Sequence, residues 1–173
     1  MKNNTLSVLV EDSFGVLSRI GGLFARRGFN IESLAVGQAE VEEKSRVTMV
    51  VGGDDNIVVQ LTNQLYKLID VLKVDNITKI DCVEKELMLM KIYTDGLKDR
   101  TEIIQVAGAF KAEVADLGKI HTILEVRGSN DKMSSLTNIL DKFELIQVAR
   151  TGKISLTRSL IKEEKLLSKL VFF

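Results

Sequence analysis

One stretch near the start of the chain, residues 6–34, constrains the fold more than any other. It reads LSVLVEDSFGVLSRIGGLFARRGFNIESL. The apolar run 6–10 predicts a buried strand, and the acidic segment 11–15 predicts a tight turn. Residues 16–27 predict a helix, because their apolar side chains recur at the spacing of a single helical face. That face consists of Val16, Leu17, Ile20, Leu23 and Phe24.

Both ends of this helix carry signals of their own. We expect the side chain of Asp12 or Ser13 to cap its start. At its end, Gly28 can adopt the left-handed conformation that stops a helix. A second strand is predicted from Asn30 onward. The stretch therefore predicts a strand, a helix and a strand, with very short connections.

The start of the helix also predicts a chemistry. The amides of Gly15, Val16 and Leu17 have no acceptor inside the helix, and Gly15 has no side chain to block a ligand. Asp12 beside them attracts an ammonium group, and Asn30 offers both a donor and an acceptor. These groups together suit a free amino acid, which carries both charges. The alternative is an ordinary capped turn that binds nothing.

The rest of the first half of the chain, residues 1–80, is also predicted to form short strands and a helix. Further strands are predicted at 31–39, 46–51 and 72–77, with a helix capped from Gly-Gly-Asp-Asp at 52–55. The resulting order is β-α-β-β-α-β, in which a four-stranded antiparallel sheet carries both helices on one face. The other face is expected to be bare, so self-association is expected as well.

The second half repeats this order after a polar segment, 81–86, that we interpret as a linker. Residues 87–157 are predicted to form the second domain. Its strands are predicted at 87–93, 112–116, 120–127 and 145–150, its helices at 100–111 and after Ser129 or Asn130, and a short extended piece at 153–157. The predicted class is α+β with two ferredoxin-like domains. Residues 158–173 predict an amphipathic helix that docks on the protein or a partner, or a frayed tail.

Composition excludes several functions. Lys and Arg together number 24, as do Asp and Glu, so no net charge favours nucleic acid or a membrane surface. The strand order also occurs in RNA-recognition modules, but the strand at 46–51 carries no aromatic residue to stack on a base. No apolar run reaches the length of about 20 residues that spans a bilayer. We expect no targeting peptide, because the chain passes directly into its first strand.

Catalytic and metal sites are not indicated either. His121 is the single histidine and Cys82 the single cysteine, so neither a metal cluster nor a nucleophile-base pair can be assembled from them. We interpret His121 as an exposed or hydrogen-bonded strand residue and Cys82 as a small buried filler. Gly152-Lys153 lacks the remaining residues of a phosphate-binding loop. The sequence therefore favours a binding protein over an enzyme.

The stretch 6–36 resembles the ACT domain of the regulatory small subunit of acetolactate synthase, also called acetohydroxyacid synthase. The family pattern approximates LSVLVE(N/D)xxGVLxRIxGLFxRRGFNIESL, and this chain matches nearly every position. The resemblance continues through residues 45–48, 64–72, 86–91 and 149–153, and so covers almost the whole chain.

This resemblance implies a non-catalytic chain that binds the large catalytic subunit, raises its activity and confers feedback inhibition by valine or another branched-chain amino acid. Thiamine diphosphate, Mg²⁺ and FAD would reside on the catalytic partner, with no cofactor on this chain. The family forms a homodimer through its ACT domains, with the effector between the two subunits. Carried over by position, Asp12, Gly15 and Val16 form the effector loop, and Asn30 and Ile31 reach it from the facing subunit.

Two departures from the family pattern leave the identity of the effector open. Phe14 stands where Pro or Ser is common, and Asp12 is an acid where many relatives have Asn. The absence of proline and the frequency of Lys, Asn and Ile suit an AT-rich genome such as that of a plastid, so we expect a plastid-encoded chain in the plastid stroma, or a chain in a bacterial cytoplasm. The alternative function is a stand-alone amino-acid sensor or regulator of the ACT type without an enzyme partner.

Overall fold

The computed structural model of the protein describes residues 3–158, and these form two compact units. The first unit contains the chain up to Val83 and resumes at Lys153, and the second unit contains Glu84–Gly152. Each unit has the order β-α-β-β-α-β that the sequence predicts. The prediction of an α+β protein with two ferredoxin-like domains is confirmed.

The first unit is a four-stranded antiparallel sheet with the strand order β2-β3-β1-β4. Its elements are β1 (Asn3–Glu11), α1 (Val16–Arg27), β2 (Ile31–Gln38), β3 (Lys44–Gly52), α2 (Asp55–Leu65) and β4 (Val71–Asn76). The bounds of α1 are those predicted, since Gly28 ends it with a φ of 68°. The side chain of Asp54 caps α2 by accepting from the amide of Ile57 at 2.9 Å. β2 and β4 are the two edge strands of this sheet.

The core of the first unit lies between the sheet and its two helices. Alternate residues of β1, namely Leu6, Val8 and Val10, are at most 1% exposed, as expected for a strand that packs one face on helices. They form one cluster with apolar residues of α1, α2 and β3. One prediction for α1 is wrong: Leu17 is 46% exposed and does not join this core.

The opposite face of the first sheet is not bare, contrary to the prediction. Its central residues are buried, with exposures between 5% and 8%: Thr5, Ser7, Thr48 and Val50. The segment that returns to this unit after the second one contacts this face, because the amide of Lys153 donates to Ser33 Oγ at 3.0 Å. Arg46 adds a hydrogen bond to Ser7 Oγ at 3.2 Å. The centre of this face is therefore polar and packed.

The second unit has the same topology, with the strand order β6-β7-β5-β8. Its elements are β5 (Cys82–Tyr93), α3 (Gly96–Ala109), β6 (Glu113–Leu117), β7 (His121–Gly128), α4 (Asn130–Leu140) and β8 (Leu145–Arg150). Ser129 caps α4 by accepting from the amide of Lys132 at 3.4 Å, in agreement with the sequence. The core contains three fully buried methionines: Met88, Met90 and Met133.

Most element boundaries lie within two residues of the predictions, and three differ in a way that changes the interpretation. Residues 82–86, predicted as part of a linker, belong to β5, whose polar residues at its start are compatible with an exposed strand end. α3 begins at Gly96 rather than at residue 100, and its first turn gives no apolar signal because Leu97 is 79% exposed. Lys153 and the short strand β9 (Ile154–Thr157) group with the first unit rather than the second. The predicted tail helix, 158–173, lies outside the described residues except for its first residue.

Candidate effector site

A cavity of about 390 Å³ lies in the first unit where β1 passes into α1. Its lining consists of Val10 to Ser18 together with Val36 of β2 and Ser45 of β3. The buried side chains of Val10 and Val16 make an apolar floor, and hydroxyl and carboxylate groups surround the mouth. This volume is at the small end of the range for ligand pockets, about 300–1,000 Å³, and suits a small amphiphilic molecule.

The helix start that opens into this cavity is built on Gly15. Gly15 is the N-cap residue of α1, has a φ of 81° and makes no side-chain cap. This left-handed conformation favours glycine, because a Cβ would be crowded by the backbone. The expected cap by Asp12 or Ser13 is therefore wrong. Val16 N is instead 3.4 Å from Ser13 O, a long contact that leaves the positive end of the helix dipole directed at the cavity.

The charge at the cavity is carried by Asp12. The neighbouring Glu11 forms an ion pair with Lys44, so its negative charge is compensated. The Asp12 backbone is fixed by a hydrogen bond from its amide to Glu43 O at 2.8 Å. Within residues 3–158, the Asp12 carboxylate takes part in no hydrogen bond or ion pair. An exposed acid thus stands beside a helix start whose first amide makes only the long contact to Ser13 O, and this arrangement can hold an ammonium and a carboxylate a few ångströms apart.

The five residues predicted for the site fall into two groups. Asp12, Gly15 and Val16 line the cavity together. Asn30 and Ile31 lie at the opposite end of β2 from Val36, about 16 Å along the strand at 3.3 Å per residue. Within one chain they do not reach the cavity. Asn30 is exposed, whereas Ile31 packs partly against the core of the first unit.

β2 is the strand through which a second copy of the chain could complete the cavity. It is an edge strand, and its Leu34 and Val36 are 39% and 43% exposed on the face that carries the helices. Exposed apolar residues on an unpaired edge favour pairing with another strand. In an antiparallel pairing about a two-fold axis, the start of one β2 lies beside the end of the other. The partner subunit's Asn30 and Ile31 would then lie close to Val36.

The second unit has a corresponding junction between β5 and α3. Its Tyr93 amide donates to Glu144 O at 2.9 Å, as the Glu11 amide donates to Asp70 O at 2.9 Å in the first unit. These bonds occupy equivalent places, since each joins the last residues of the first strand to the loop before the fourth strand. The two junctions can therefore be compared residue by residue.

The comparison shows that the second junction is closed. Thr94 follows Tyr93 as Asp12 follows Glu11, but Thr94 is fully buried whereas Asp12 is exposed. One residue separates Thr94 from the start of α3, whereas three separate Asp12 from the start of α1. The second unit thus lacks an acid at the position that Asp12 occupies in the first.

His121 and Cys82, the two residues considered for metal or catalytic chemistry, contact neighbouring protein groups. His121 Nε2 lies 2.9 Å from Asp116 Oδ2, which agrees with the prediction of a hydrogen-bonded strand residue. Cys82 is half-buried rather than buried, with Sγ 3.9 Å from Ile77 O. Across residues 3–158, no three His, Cys, Asp or Glu side chains cluster as metal ligands would. No helix in the same part of the chain is long and apolar enough to cross a membrane.

Sequence reasoning missed three residues of this region. Val36 and Ser45 reach the cavity only through strand register, since Ser45 pairs with Val10 and Val36 pairs with Val47. Asp70 is distant from the loop in sequence but contacts it in the fold, where its carboxylate lies 2.6 Å from Arg19 Nε. A long-range register leaves no local pattern, so these contacts required the structure.

Known proteins match both halves of the chain. A family model described as the AHAS small subunit-like ACT domain matches residues 6–73, and one described as the small subunit of acetolactate synthase matches residues 85–159. A probable acetolactate synthase small subunit from Archaeoglobus fulgidus is 44% identical over 155 residues, which are 90% of this chain and 96% of that protein. The chain belongs to the acetolactate synthase small-subunit family.

The fold of this family is also known from experiment. The crystal structure of an acetolactate synthase small subunit from Thermotoga maritima aligns with a TM-score of 0.85 and 34% identity, over 93% of this chain and 100% of that one. An acetolactate synthase small subunit from the chloroplast of Arabidopsis thaliana is 44% identical over 94% of this chain, which spans only 34% of that protein. The first unit of this small subunit is an ACT domain, as predicted.

Membership in the family confirms the resemblance drawn from the sequence and agrees with a non-catalytic chain. A small subunit implies a large, catalytic subunit as its partner. The relatives come from an archaeon, from mycobacteria and from chloroplasts. This range gives no support to the prediction that the chain is plastid-encoded.

Proposed function

We propose that this chain is the regulatory subunit of acetolactate synthase: it activates the catalytic large subunit and makes it sensitive to feedback by valine. The pathway is the biosynthesis of branched-chain amino acids. In this proposal thiamine diphosphate, Mg²⁺ and FAD all belong to the catalytic partner, and the reaction takes place there. The small subunit contributes binding and regulation.

The observation that supports this proposal best is the cavity at the start of α1. Its helix amides suit the carboxylate of an amino acid, and the unpaired Asp12 suits the ammonium group. The apolar floor of Val10 and Val16 suits a short branched side chain. Each of the three parts of valine thus has a chemically matched counterpart.

A second copy of the chain completes the site in this proposal. Two ACT domains pair through β2, and the partner subunit's Asn30 and Ile31 cover the mouth of the cavity beside Val36. The effector then contacts both chains, so its binding is linked to the way in which the two domains are held together.

Feedback follows from differential binding. Valine inhibits only if it binds the inhibited arrangement of the complex more tightly than the active one, typically by about 1–3 kcal/mol, or about 5- to 150-fold. A ligand held between two subunits meets this condition, because any change in the pairing of the subunits alters its contacts.

Reconstitution with the catalytic large subunit tests the proposal. Acetolactate formation is measured with the large subunit alone, with this chain added, and with this chain and L-valine. We expect the chain to raise the rate and valine to reverse that rise. Isothermal titration of the chain alone with L-valine measures binding directly.

Two results would contradict the proposal. If the chain leaves the rate of the large subunit unchanged, it is not its regulatory subunit. If it binds valine but does not associate with the large subunit, the stand-alone sensor is the better description. D-valine serves as the matched control, because it carries the same groups in the wrong arrangement.

A further inference from the structure

Asp70 holds the effector loop from outside the cavity. It lies between α2 and β4 and is 8% exposed. Its carbonyl oxygen accepts from the amide of Glu11 at 2.9 Å, just before the loop. Its carboxylate accepts from Ser13 Oγ at 3.5 Å within the loop and from Arg19 Nε at 2.6 Å after it. One residue thus contacts the loop before, within and after the turn.

Arg19 links this carboxylate to the glycine of the loop. The Arg19 amide donates to Gly15 O at 2.9 Å in the first turn of α1. Its guanidinium Nη1 stands 3.1 Å from the position that a Cβ on Gly15 would occupy. The guanidinium therefore fills the space behind Gly15 and is itself fixed by Asp70.

Neither partner of this ion pair belongs to the lining of the cavity. The Asp70 side chain is 11% exposed and that of Arg19 is 44% exposed. A charged hydrogen bond of this kind is stronger than a neutral one, and removing one partner leaves the other poorly compensated. The pair is therefore suited to fix the shape of the loop without contacting a ligand in it.

The second unit offers a natural contrast. Arg100, the fifth residue of α3, donates instead to the carbonyl oxygens of Gly118 and Lys119 at 2.8 and 2.9 Å. Glu144 supplies the backbone bond that corresponds to that of Asp70. The closed junction of the second unit thus keeps the backbone hydrogen bond to Glu144, but its arginine binds the turn between β6 and β7 instead.

We propose that Asp70 and Arg19 are positioning residues that hold the helix amides of the effector loop in the conformation that receives the amino-acid carboxylate. This inference rests on the proposed function and adds a control point for the same site. Without the pair, the loop samples other conformations, and the effector binds only the fraction that is still in place. Affinity for valine falls, while the surface that activates the large subunit is unaffected.

The test uses the full chain with Asp70→Asn, which keeps the shape and removes the charge, and with Arg19→Gln. We expect each to raise the Kd for L-valine about five- to tenfold in isothermal titration, and the double variant to do no worse than either single one, because the two residues act as a pair. Asp70→Glu restores the charge and recovers part of the affinity. Activation of the large subunit without valine stays at the wild-type level.

The matched control is Lys79→Gln, which cuts an exposed ion pair to Asp55 in the same unit and should leave the Kd unchanged. Wild-type affinity in both Asp70→Asn and Arg19→Gln would overturn this inference and leave the proposed function intact. A wild-type chain that binds no valine would overturn both. If Asp70→Asn does not fold, the more exposed Arg19→Gln decides alone.

Discussion

Gly15 is the residue at which the proposed effector site can be tested most sharply. Gly15→Asp places a carboxylate at the start of α1, where the site needs positive potential. Asp is among the residues that tolerate the left-handed backbone found there, so we expect the fold to be retained at a strain of about 1 kcal/mol. The variant therefore changes the charge of the site more than its structure.

The magnitude follows from Coulomb's law. A carboxylate about 5 Å from that of the effector opposes it by about 3 kcal/mol at an effective dielectric constant of about 20. Arg19 Nη1, 3.1 Å from the Cβ position, compensates part of the new charge. If about half of this repulsion remains, the Kd for valine rises about tenfold. If all of it remains, the Kd rises more than a hundredfold.

The assay is acetolactate formation by the reconstituted complex as a function of L-valine concentration. We expect Gly15→Asp to activate the large subunit as the wild type does, with half-inhibition moved to at least about tenfold higher valine. Gly15→Asn is the matched control, because it has the same shape and backbone preference without the charge, and its shift should be smaller. A folded Gly15→Asp chain inhibited at the wild-type valine concentration would refute the placement of the effector.

Three further predictions concern the pairing, the stoichiometry and the acid stability of the chain. Leu34→Lys on the edge strand β2 should convert a dimer to monomers in analytical ultracentrifugation, whereas Leu72→Lys, equally exposed on the other edge strand, should not. Titration should give one valine per chain, since the second junction is closed; two per chain would contradict that comparison. Burial raises the pKa of Glu40, but its own backbone amide and Arg46 outweigh burial and hold that pKa below 4.5. The stability gained from ionised Glu40 is therefore present above pH 4.5 and lost as the pH falls further, and Glu40→Gln should reduce this loss in urea unfolding at different pH values.

Local sequence patterns predicted the elements well where periodicity and end signals coincide. α1 has its predicted bounds because an apolar face and Gly28 agree, and β8 has its predicted bounds as well. The predicted start of α3 lies four residues after the observed one, because the first turn exposes Leu97 and so carries no periodic signal. The sequence predicts a linker at the start of β5 for a related reason: a strand end with polar, exposed residues resembles a loop in sequence.

The site was predictable only in part. The three loop residues Asp12, Gly15 and Val16 are neighbours in sequence, so local reasoning could group them. Ser45 lies beside them because of the strand register, and Asp70, about 50 residues away in sequence, holds the loop through Arg19. A local sequence pattern indicates neither contact. The role predicted for Asn30 and Ile31 depends on a second chain and stays a prediction.

The first unit is assembled from two separate pieces of chain, and this affects how the protein is made. Lys153 and the residues of β9 return to it only after all of Glu84–Gly152 has been synthesised. On the ribosome, the first unit must therefore wait until residues 84–152 have been made before its last bonds, such as those from Lys153 to Ser33 and from Arg158 to Asp81, can form. A gene fragment that stops at Val83 would yield the first unit without its return segment, so a first unit produced alone should retain a grafted copy of residues 153–158.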